Sequence, residues 1–344
     1  MLTTSVVIPV RNGARTLPVC LAALARLDPA PLELVLVDNG STDGSRELLE
    51  AVVRDGAGPP GRLLDEPRPG AAAARNAGIA AAKGEVIAFT DADCAPEPDW
   101  LARLTEPFAS PRVGAVAGRV TAAPAGSTVE LFSALYTLRS PAEPARHTRW
   151  TPWAGGFPTA NLAVRRALLE ELAGFDEQVG IYGEDYDLCA RLYARGLEIA
   201  YVPAARVAHH HRTTIAGMLR QAFGFGRSHP YLLRRHATRG LWVDLPGRPV
   251  AWLRCPVAAW LDLASADKKL LALLALAAAS PPTLLLLACY LLWLPLTAAR
   301  QARKAGIQAS ATASLGLAGL LVLKSAAMTA GRWWGSVRYR AACL

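Results

Sequence analysis

The segment VIAFTDAD, residues 86–93, decides the fold because an apolar run ends directly in two carboxylates, Asp91 and Asp93. The run predicts a buried strand, and the acids predict a loop at its carboxyl end. Residues two apart on an extended chain share a face, so both carboxylates can serve one position. A small set of oxygen ligands suits Mg2+ or Mn2+, which keep coordination positions free for substrate phosphates. The alternative interpretation of the same tripeptide is a solvated turn or a helix N-terminal cap.

Strand-like and helical patterns alternate around this segment. The strand-like runs are residues 5–10, 32–37, 62–64 and 86–90, and the helical patterns are residues 14–27, 45–53 and 71–82. Such alternation predicts an α/β fold with a mainly parallel sheet and helices on both faces. Ligands of such sheets bind beyond the carboxyl ends of the strands, and the polar residues that follow strand ends here are Arg11, Asn12, Asp38, Asn39, Asp91 and Asp93. The sequence therefore predicts a site at that edge of the sheet.

The composition divides the chain into two parts. Its 344 residues are 52% apolar with a net charge of +9, and much of the apolar excess follows Lys269, which predicts a soluble part followed by a part that meets lipid. No helical recognition pattern or RNA-binding aromatic signature accompanies the arginines, so nucleic acid is the least favoured partner. The cysteines lie far apart, which predicts reduced, mostly buried side chains. The amino terminus carries no secretory leader, which predicts a cytoplasmic α/β part.

Four motifs occur in a familiar order: VIPVRN at 7–12, VDNGSTD at 37–43, ARNAG at 74–78 and DAD at 91–93. Together they closely resemble family 2 glycosyltransferases, over roughly the first two thirds of the chain. The resemblance implies the nucleotide-diphospho-sugar transferase fold called GT-A. It also implies a nucleotide-diphospho-sugar donor, bound by Pro9, Val10, Asn12, Asp38, Asn39, Arg75 and Asp91. Many members have Asp-Asp-Gly-Ser where this chain has DNGS, so one charge is missing at Asn39.

The same resemblance implies a divalent metal, Mg2+ or Mn2+, with Asp93 as the direct ligand and Asp91 as its partner. Some relatives add a histidine to this site, and His209, the first of three consecutive histidines, occupies the closest position. Spacing does not tell which of the three faces the site, and a triple histidine is also typical of an interfacial cluster. Arg75 has two readings, a contact with phosphate or an ion pair with an acid of the loop.

The acceptor side is predicted from two further segments. YGEDYDL, residues 182–188, resembles the family's Glu-Asp pair, which makes Asp185 the base that removes the acceptor proton and places Glu184 beside the acceptor. WAGGFPTANLA, residues 153–163, resembles the acceptor floor, which implies contacts from Trp153, Gly156 and Asn161. On the residues alone, acids at a helix start complement its dipole, the tryptophan packs a loop, and the asparagine satisfies local backbone.

Two apolar stretches, residues 270–297 and 307–330, are long enough to concern a bilayer, and basic residues flank both. If every basic block stays on the cytoplasmic side, each stretch must return to the side it entered, with Pro281-Pro282 as a hinge. Two full crossings and a soluble helical bundle are the competing models. Residues 215–231 are basic and aromatic, which predicts a segment that lies on lipid headgroups or closes over the site.

These observations predict a GT-A catalytic domain at 1–213, an amphipathic connector at 214–267 and membrane-associated helices at 268–344. The expected function is transfer of a single sugar, with inversion, to a glycan or lipid-linked acceptor at the inner face of the cell membrane. A sugar nucleotidyltransferase would need a glycine-rich, arginine-containing loop where PVRN stands. A catalytically idle membrane adaptor is the second rival, and the acids Asp93 and Asp185 argue against it. The Gln-x-x-Arg-Trp signature of processive synthases does not follow the acidic pair, which favours single addition.

Overall fold

A computed structural model describes residues 2–56, 58–137, 140–151, 154–179, 182–237, 239–245, 248–254 and 256–343. The chain forms two compact units. The first comprises residues 1–124 and 138–210, and the second comprises residues 125–137 and 211–344. The first unit thus ends three residues before the predicted boundary at 213, and a short internal segment belongs to the second unit.

The first unit is built on one sheet. Its described strands are β1 Thr4–Val10, β2 Glu33–Asp38, β3 Gly61–Asp65, β4 Val86–Phe89, β5 Cys94–Pro96, β6 Val113–Ala122, β7 Ala145–His147, β8 Leu162–Arg165 and β9 Glu198–His209. They lie in the order β3-β2-β1-β4-β8-β6-β9-β5, with β7 also beside β9. Strands β1 to β4 are parallel, β6 and β9 share their direction, and β5, β7 and β8 run antiparallel to their neighbours. The predicted α/β fold with a mainly parallel sheet is therefore confirmed.

The helices are numbered along the whole chain. They are α1 Leu17–Leu24, α2 Ser45–Asp55, α3 Ala71–Ala81, α4 Trp100–Thr105, α5 Thr128–Tyr136, α6 Arg166–Glu171, α7 Glu184–Ala194, α8 Ile215–His236, α9 Ala266–Ala279, α10 Leu284–Lys304 and α11 Ala311–Tyr339. Short 3-10 turns occur at Glu106–Ala109, Thr159–Asn161, Glu177–Val179 and Pro281–Thr283. Helices α5 and α8 to α11 belong to the second unit.

The two faces of the sheet carry separate cores because successive side chains of a strand point in opposite directions. In β1, Val6 and Ile8 pack with Leu17 of α1 on one face, whereas Val7 packs with Ile79 of α3 on the other. Strands covered on both faces read as continuous apolar runs, which is why β1, β2 and β4 were visible in the sequence. Because β1, β2 and β4 are parallel, the polar loops that follow these three strands lie at one edge of the sheet.

Helix α3 lies unusually close to β1. A Cβ built on Gly78 would come within 2.4 Å of a Val7 methyl carbon, so the approach requires glycine at that position. This packing fixes the helix over the sheet edge where the strands end. It therefore fixes the position of Arg75, which lies one turn earlier on the same helix.

Strand β9 continues past a proline. Residues 199–202 have a strand-like pattern and Pro203-Ala204 is typical of a turn, but β9 continues to His209. Its pairing with β6 shifts register between Gly118 and Arg119, where the opposing residues jump from Val202 to Arg206. The proline lies in this β-bulge, a position that a strand tolerates because the ladder is already interrupted there. The extended strand then reaches β5 beside the acidic pair.

The second unit combines helices with a small sheet. Its described strands are β10 Gly240–Leu245, β11 Arg248–Leu253, β12 Ala258–Asp262 and β13 Ala342–Cys343, in the order β11-β10-β12-β13. Phe132, Met218, Ala298, Ala302 and Leu317 join α5, α8, α10 and α11 in one core. The part of the chain that the structure describes contains two helices long and apolar enough to cross a membrane, Pro281–Lys304 and Ala311–Tyr339. Length and composition alone do not decide whether they do so.

Candidate active site

The loops that follow β1 and β2 are joined by hydrogen bonds. Asn12 has a positive φ of 53°, and its side-chain oxygen accepts the Thr42 backbone N–H at 2.8 Å. Its own N–H donates to Ser41 Oγ at 3.1 Å, and the Ala14 N–H donates to Asp43 Oδ2 at 3.0 Å. Asparagine adopts the left-handed conformation more readily than most residues, which suits it to this turn. The two loops therefore form one preorganised wall of the site.

Three of the predicted donor residues are buried in the base of this wall. Asp38 lies at the end of β2, where its carboxylate accepts the Ser41 N–H at 3.3 Å. Val10 is fully buried, and its carbonyl accepts the Asn39 N–H at 2.8 Å. Pro9 is half-buried in β1. Val10 therefore has no exposed side chain to offer a donor, and it supports the loops instead.

Asn39, predicted as a donor contact, braces two loops. Its amide nitrogen donates to the carbonyl oxygens of Glu66 at 2.7 Å and Arg68 at 2.8 Å, which uses both N–H groups. Its side-chain oxygen accepts the Gly70 N–H at 2.9 Å. The residue thus ties the β2 loop to the segment that leads into α3. This role explains an amide where the family pattern has a second acid, because a carboxylate has no N–H groups to donate.

Arg75 joins two acids from different elements. Its side chain is buried, and its two terminal nitrogens donate to Asp91 Oδ1 at 2.8 Å and Glu184 Oε1 at 2.7 Å. Of the two readings of this arginine, the structure shows the ion pair, with a second acid added. Burial works against its charge, but Asp91, Glu184 and Asp185 outweigh that effect and raise the pKa of Arg75. The guanidinium is therefore a permanent link between the strand end and α7.

Asp93 lies beside His209 because β5 pairs antiparallel with β9. Cys94 is directly opposite His209 in this pairing, and the His209 Nε2 lies 3.5 Å from Asp93 Oδ1. The backbone N–H of His210 donates to the Asp93 carbonyl at 2.8 Å. Of the three histidines, His209 is thus the one whose side chain meets the acid.

The donor set fits a divalent cation. Asp93, Cys94 and His209 each place one possible ligand atom within 4.8 Å of the others. Burial and the charges of Asp93 and Asp91 raise the pKa of the Cys94 thiol well above its ordinary value. The carboxylate and the imidazole suit Mn2+ and, with further oxygen ligands, Mg2+, whereas a thiolate favours softer metals. Asp91, predicted as the second metal ligand, is ion-paired with Arg75.

Asp185 is held at the start of α7 by two backbone groups. Its carboxylate oxygens accept the Tyr186 N–H at 2.9 Å and the Thr159 N–H at 3.4 Å. Burial raises the pKa of Asp185, and the attraction of Arg75 and the two hydrogen bonds only partly offset this effect. Burial and the neighbouring charge of Asp185 also raise the pKa of Glu184. A carboxylate with a raised pKa is a better proton acceptor near neutral pH.

The loop before Asp185 packs on the residue after it. A Cβ on Gly156 would lie 2.0 Å from the Tyr186 ring, so only glycine allows this contact. Tyr186 is 38% exposed beside the predicted base. Gly156 therefore shapes the surface beside Asp185 by admitting an aromatic ring. Trp153, also predicted at the acceptor, lies outside the described residues.

Of the two readings of Asn161, the structure shows bonds to buried protein groups. It is fully buried, and its side-chain oxygen accepts the Trp100 indole N–H at 2.8 Å. Its amide nitrogen donates to the Arg119 carbonyl at 3.0 Å and the Ala205 carbonyl at 2.9 Å. These bonds satisfy backbone groups beside the β9 bulge. Glu184 is likewise buried against Arg75 and offers no exposed surface to an acceptor.

Sequence reasoning missed Thr159 and Tyr186 as parts of the site. Both lie within segments that resemble family motifs, residues 153–163 and 182–188, but neither is one of the charged or glycine residues on which the predictions were based. The Thr159 contribution is a backbone N–H, which no side-chain pattern reveals. The signal for Tyr186 was its place directly after the predicted base.

A family model described as "Glycosyl transferase family 2" matches residues 5–173. Pre-mycofactocin glycosyltransferase of Mycobacterium tuberculosis is 33% identical over 252 residues, which cover 72% of this chain and 52% of that protein. Glycosyltransferase AglE of Haloferax volcanii is 26% identical over 252 residues, which cover 70% of this chain and 79% of that protein. The chain therefore spans about half the length of the mycobacterial relative.

A solved structure supports the fold. Mannosyltransferase PcManGT from Pyrobaculum calidifontis, solved in complex with GDP-Man and Mn2+, matches with a TM-score of 0.55 at 23% identity. The match covers 97% of this chain and 87% of that protein, which shows a shared GT-A fold. Motif order and the matched family model agree, and residues 5–173 of the chain form a glycosyl transferase family 2 domain.

Proposed function

We propose that this protein transfers a single sugar from a nucleotide-diphospho-sugar to an acceptor hydroxyl or phosphate, with inversion. The observation that carries the proposal is the Arg75 bridge, which joins Asp91 of the strand end to Glu184, the neighbour of Asp185. It brings the acidic pair and the predicted base to one edge of the sheet. A transferase that displaces a diphosphate directly needs this proximity of leaving-group and base functions.

In the proposed reaction, Asp185 accepts the acceptor proton while the acceptor oxygen attacks the anomeric carbon. The bond between that carbon and the β-phosphate oxygen breaks, and the nucleoside diphosphate leaves with its electrons from the opposite face. The raised pKa of Asp185 supports its role as proton acceptor near neutral pH. Asp93 and His209 would hold a divalent cation, Mg2+ or Mn2+, which when bound neutralises charge on the diphosphate.

Arg75 serves this chemistry as a positioning residue. Its terminal nitrogens contact Asp91 and Glu184, so it keeps the Asp91 carboxylate oriented and α7 close to the strand end. Of the three linked side chains, Asp91 is the most exposed, at 28%, and it can contact the donor. The predicted donor contact of Arg75 thus acts through Asp91.

The acceptor is proposed to be lipid-linked or part of a glycan at the inner face of the cell membrane. The support is the second unit, whose helices α9 and α10 expose large apolar side chains beside basic residues. Such surfaces associate with anionic membranes through both apolar burial and charge.

A donor screen tests the proposal. Purified full-length protein is incubated with UDP-, GDP- and dTDP-sugars, with Mg2+ or Mn2+, and with membrane extract as the acceptor source. Metal-dependent release of nucleoside diphosphate with at least one donor is expected, and NMR of the isolated product should show an inverted anomeric centre. The Asp185→Asn variant should bind that donor but transfer no sugar. Retention of configuration, or binding without hydrolysis or transfer for every donor, would reject the proposal.

A further inference from the structure

The second unit exposes a dense set of leucines on α9 and α10. The exposed large apolar side chains of these helices are Leu271, Leu274, Leu276, Leu284, Leu285, Leu286, Leu291, Leu292, Trp293 and Leu296. Soluble surfaces rarely show contiguous apolar areas of this extent, and such areas mark interaction sites. The question is what covers them.

Helices α9 and α10 form a hairpin. They meet at Ser280 and the 3-10 turn Pro281–Thr283, and the Tyr290 hydroxyl of α10 donates to the Ala266 carbonyl at the start of α9 at 3.1 Å. Helix α10 therefore folds back beside α9. The exposed leucines lie along both arms up to the turn, and the turn residues are exposed or half-buried.

The base of the hairpin is fastened to α11. The Ser325 hydroxyl donates to Asp267 Oδ1 at 2.6 Å, and Lys268 Nζ lies 3.3 Å from the Thr329 hydroxyl. At the other arm, Ala298 and Ala302 of α10 are buried in the core of the unit. Both ends of the hairpin are thus held at the polar, packed part of the unit, and only the arms and the turn project.

Helix α10 as a whole is long enough to span a bilayer, but the uncharged part of each arm is not. Helix α9 has 14 residues, and at 1.5 Å per residue it reaches about 21 Å, against a hydrocarbon thickness of about 30 Å. The uncharged part of α10, residues 284–299, reaches about 24 Å. The returning arm ends in Arg300, Arg303 and Lys304, which belong at the headgroups. A hairpin of this length enters the hydrocarbon and turns inside it, and its hydrogen-bonded helices leave few backbone groups unsatisfied there.

Helix α11 does not supply a second crossing. Its uncharged part ends before Lys324, about 20 Å from its start at 1.5 Å per residue. Lys324 donates to the Tyr136 carbonyl at 2.7 Å, and Arg332 is ion-paired with Asp262 of β12. Both charges are therefore satisfied by protein groups that do not belong to a membrane span.

Helix α8 confirms the polar surroundings of α11. A Cβ on Gly331 would lie 2.2 Å from the Phe223 carbonyl oxygen, and one on Gly335 would lie 2.6 Å from the Arg227 carbonyl oxygen. The two helices are thus in backbone contact. Because α8 carries Arg220, Arg227, Arg234 and Arg235, lipid tails do not surround this stretch of α11. Helix α8 thus packs on α11 within the second unit.

We infer that this chain is monotopic: the α9–α10 hairpin, residues 266–304, inserts into one leaflet of an anionic bilayer and returns, and α11 stays in the interface. The basic residues at both hairpin ends match the negative headgroups on the side from which it enters. This inference deepens the proposed membrane association and rests on it. It does not depend on which sugar is transferred.

Cysteine accessibility tests the topology. In a Cys255→Ser, Cys289→Ser background of the full chain, single cysteines are placed at three exposed positions: Thr213→Cys before α8, Ser280→Cys at the hairpin turn and Gln308→Cys between α10 and α11. An impermeant maleimide is added to right-side-out and inside-out vesicles of the expression host. Position 308 should be labelled from the same face as position 213, and position 280 from neither face until detergent is added.

Other labelling patterns overturn the inference. Two crossings by α10 and α11 would expose position 308 on the face opposite to 213 and leave 280 reactive on the same face as 213. A hairpin that spans would expose 280 on the opposite face. Recovery of the protein in the soluble fraction would reject insertion itself.

A second comparison does not depend on vesicle orientation. The Leu285→Glu, Leu292→Glu variant should lose carbonate-resistant membrane retention, whereas Leu245→Glu, at an exposed leucine of β10, should keep it. Equal retention of the two variants would contradict the hairpin. Donor hydrolysis in detergent is measured in parallel. Equal retention of the two variants with hydrolysis intact would reject the membrane inference alone, whereas absent hydrolysis by the wild-type protein would count against the enzymatic proposal.

Discussion

Replacing Asn161 with alanine separates a structural role from an acceptor contact. The change removes one acceptor and two donors, and it leaves the Trp100 indole N–H and the carbonyl oxygens of Arg119 and Ala205 without this partner. The asparagine is fully buried, so water does not readily replace it. Each hydrogen bond contributes about 1–1.5 kcal/mol, which gives an expected loss of about 3–5 kcal/mol in the free energy of unfolding.

A loss of that size should lower the melting temperature by about 10 °C for a domain of this size, as measured by scanning fluorimetry of the full chain in detergent. The folded fraction of Asn161→Ala should keep the wild-type KM for the acceptor, because the side chain does not face it. Gln178→Ala, which removes an exposed amide, is the matched control and should melt like the wild type. A variant that melts like wild type but has a raised acceptor KM would refute this reasoning and restore the acceptor contact.

Further outcomes are expected. Asp185→Asn should lower turnover about 10²–10⁴-fold with donor affinity retained by calorimetry. Wild-type turnover should fall as the pH drops through the raised pKa of Asp185, about 6, because the protonated acid cannot accept a proton; a flat profile down to pH 5 would contradict this. Asp93→Ala and His209→Ala should each weaken donor binding in the presence of metal and leave metal-free binding unchanged, whereas equal affinities with metal would reject the ligand roles. Gly156→Ala should displace Tyr186 and reduce acceptor turnover without a change in donor affinity, with Gly58→Ala as a tolerated control; identical kinetics would show that the contact is not needed.

The first half of the sheet was predictable because its strands are local, parallel and buried on both faces. Buried strands such as β4 read as apolar runs, and their shared direction places Asp38 and Asp91 at one edge. The proposed base and metal residues followed from motifs, and the structure brings them to the same edge through Arg75. Local pattern was sufficient here because each element identifies itself within a few residues.

The second half of the sheet was not predictable from local pattern. Its strands β6, β8 and β9 pair across long sequence separations, and Pro203 within β9 looks like a terminator until the bulge is seen. The roles of Asn39 and Asn161 also depend on distant backbone groups that a sequence does not display. The resemblance implied ligand roles for both amides, and the structure shows both side chains bonded to backbone carbonyl groups.

The bulge in β9 has a consequence for how this site can vary. Residues 203–205 lie opposite a single step of β6, outside the regular pairing that sets His209 across from Cys94. A deletion or insertion among them changes the length of the bulge, while the ladder from Arg206 to His209 keeps its register. Related proteins that differ in length here would then present the same histidine beside Asp93, and an ungapped alignment would match it to the wrong residue.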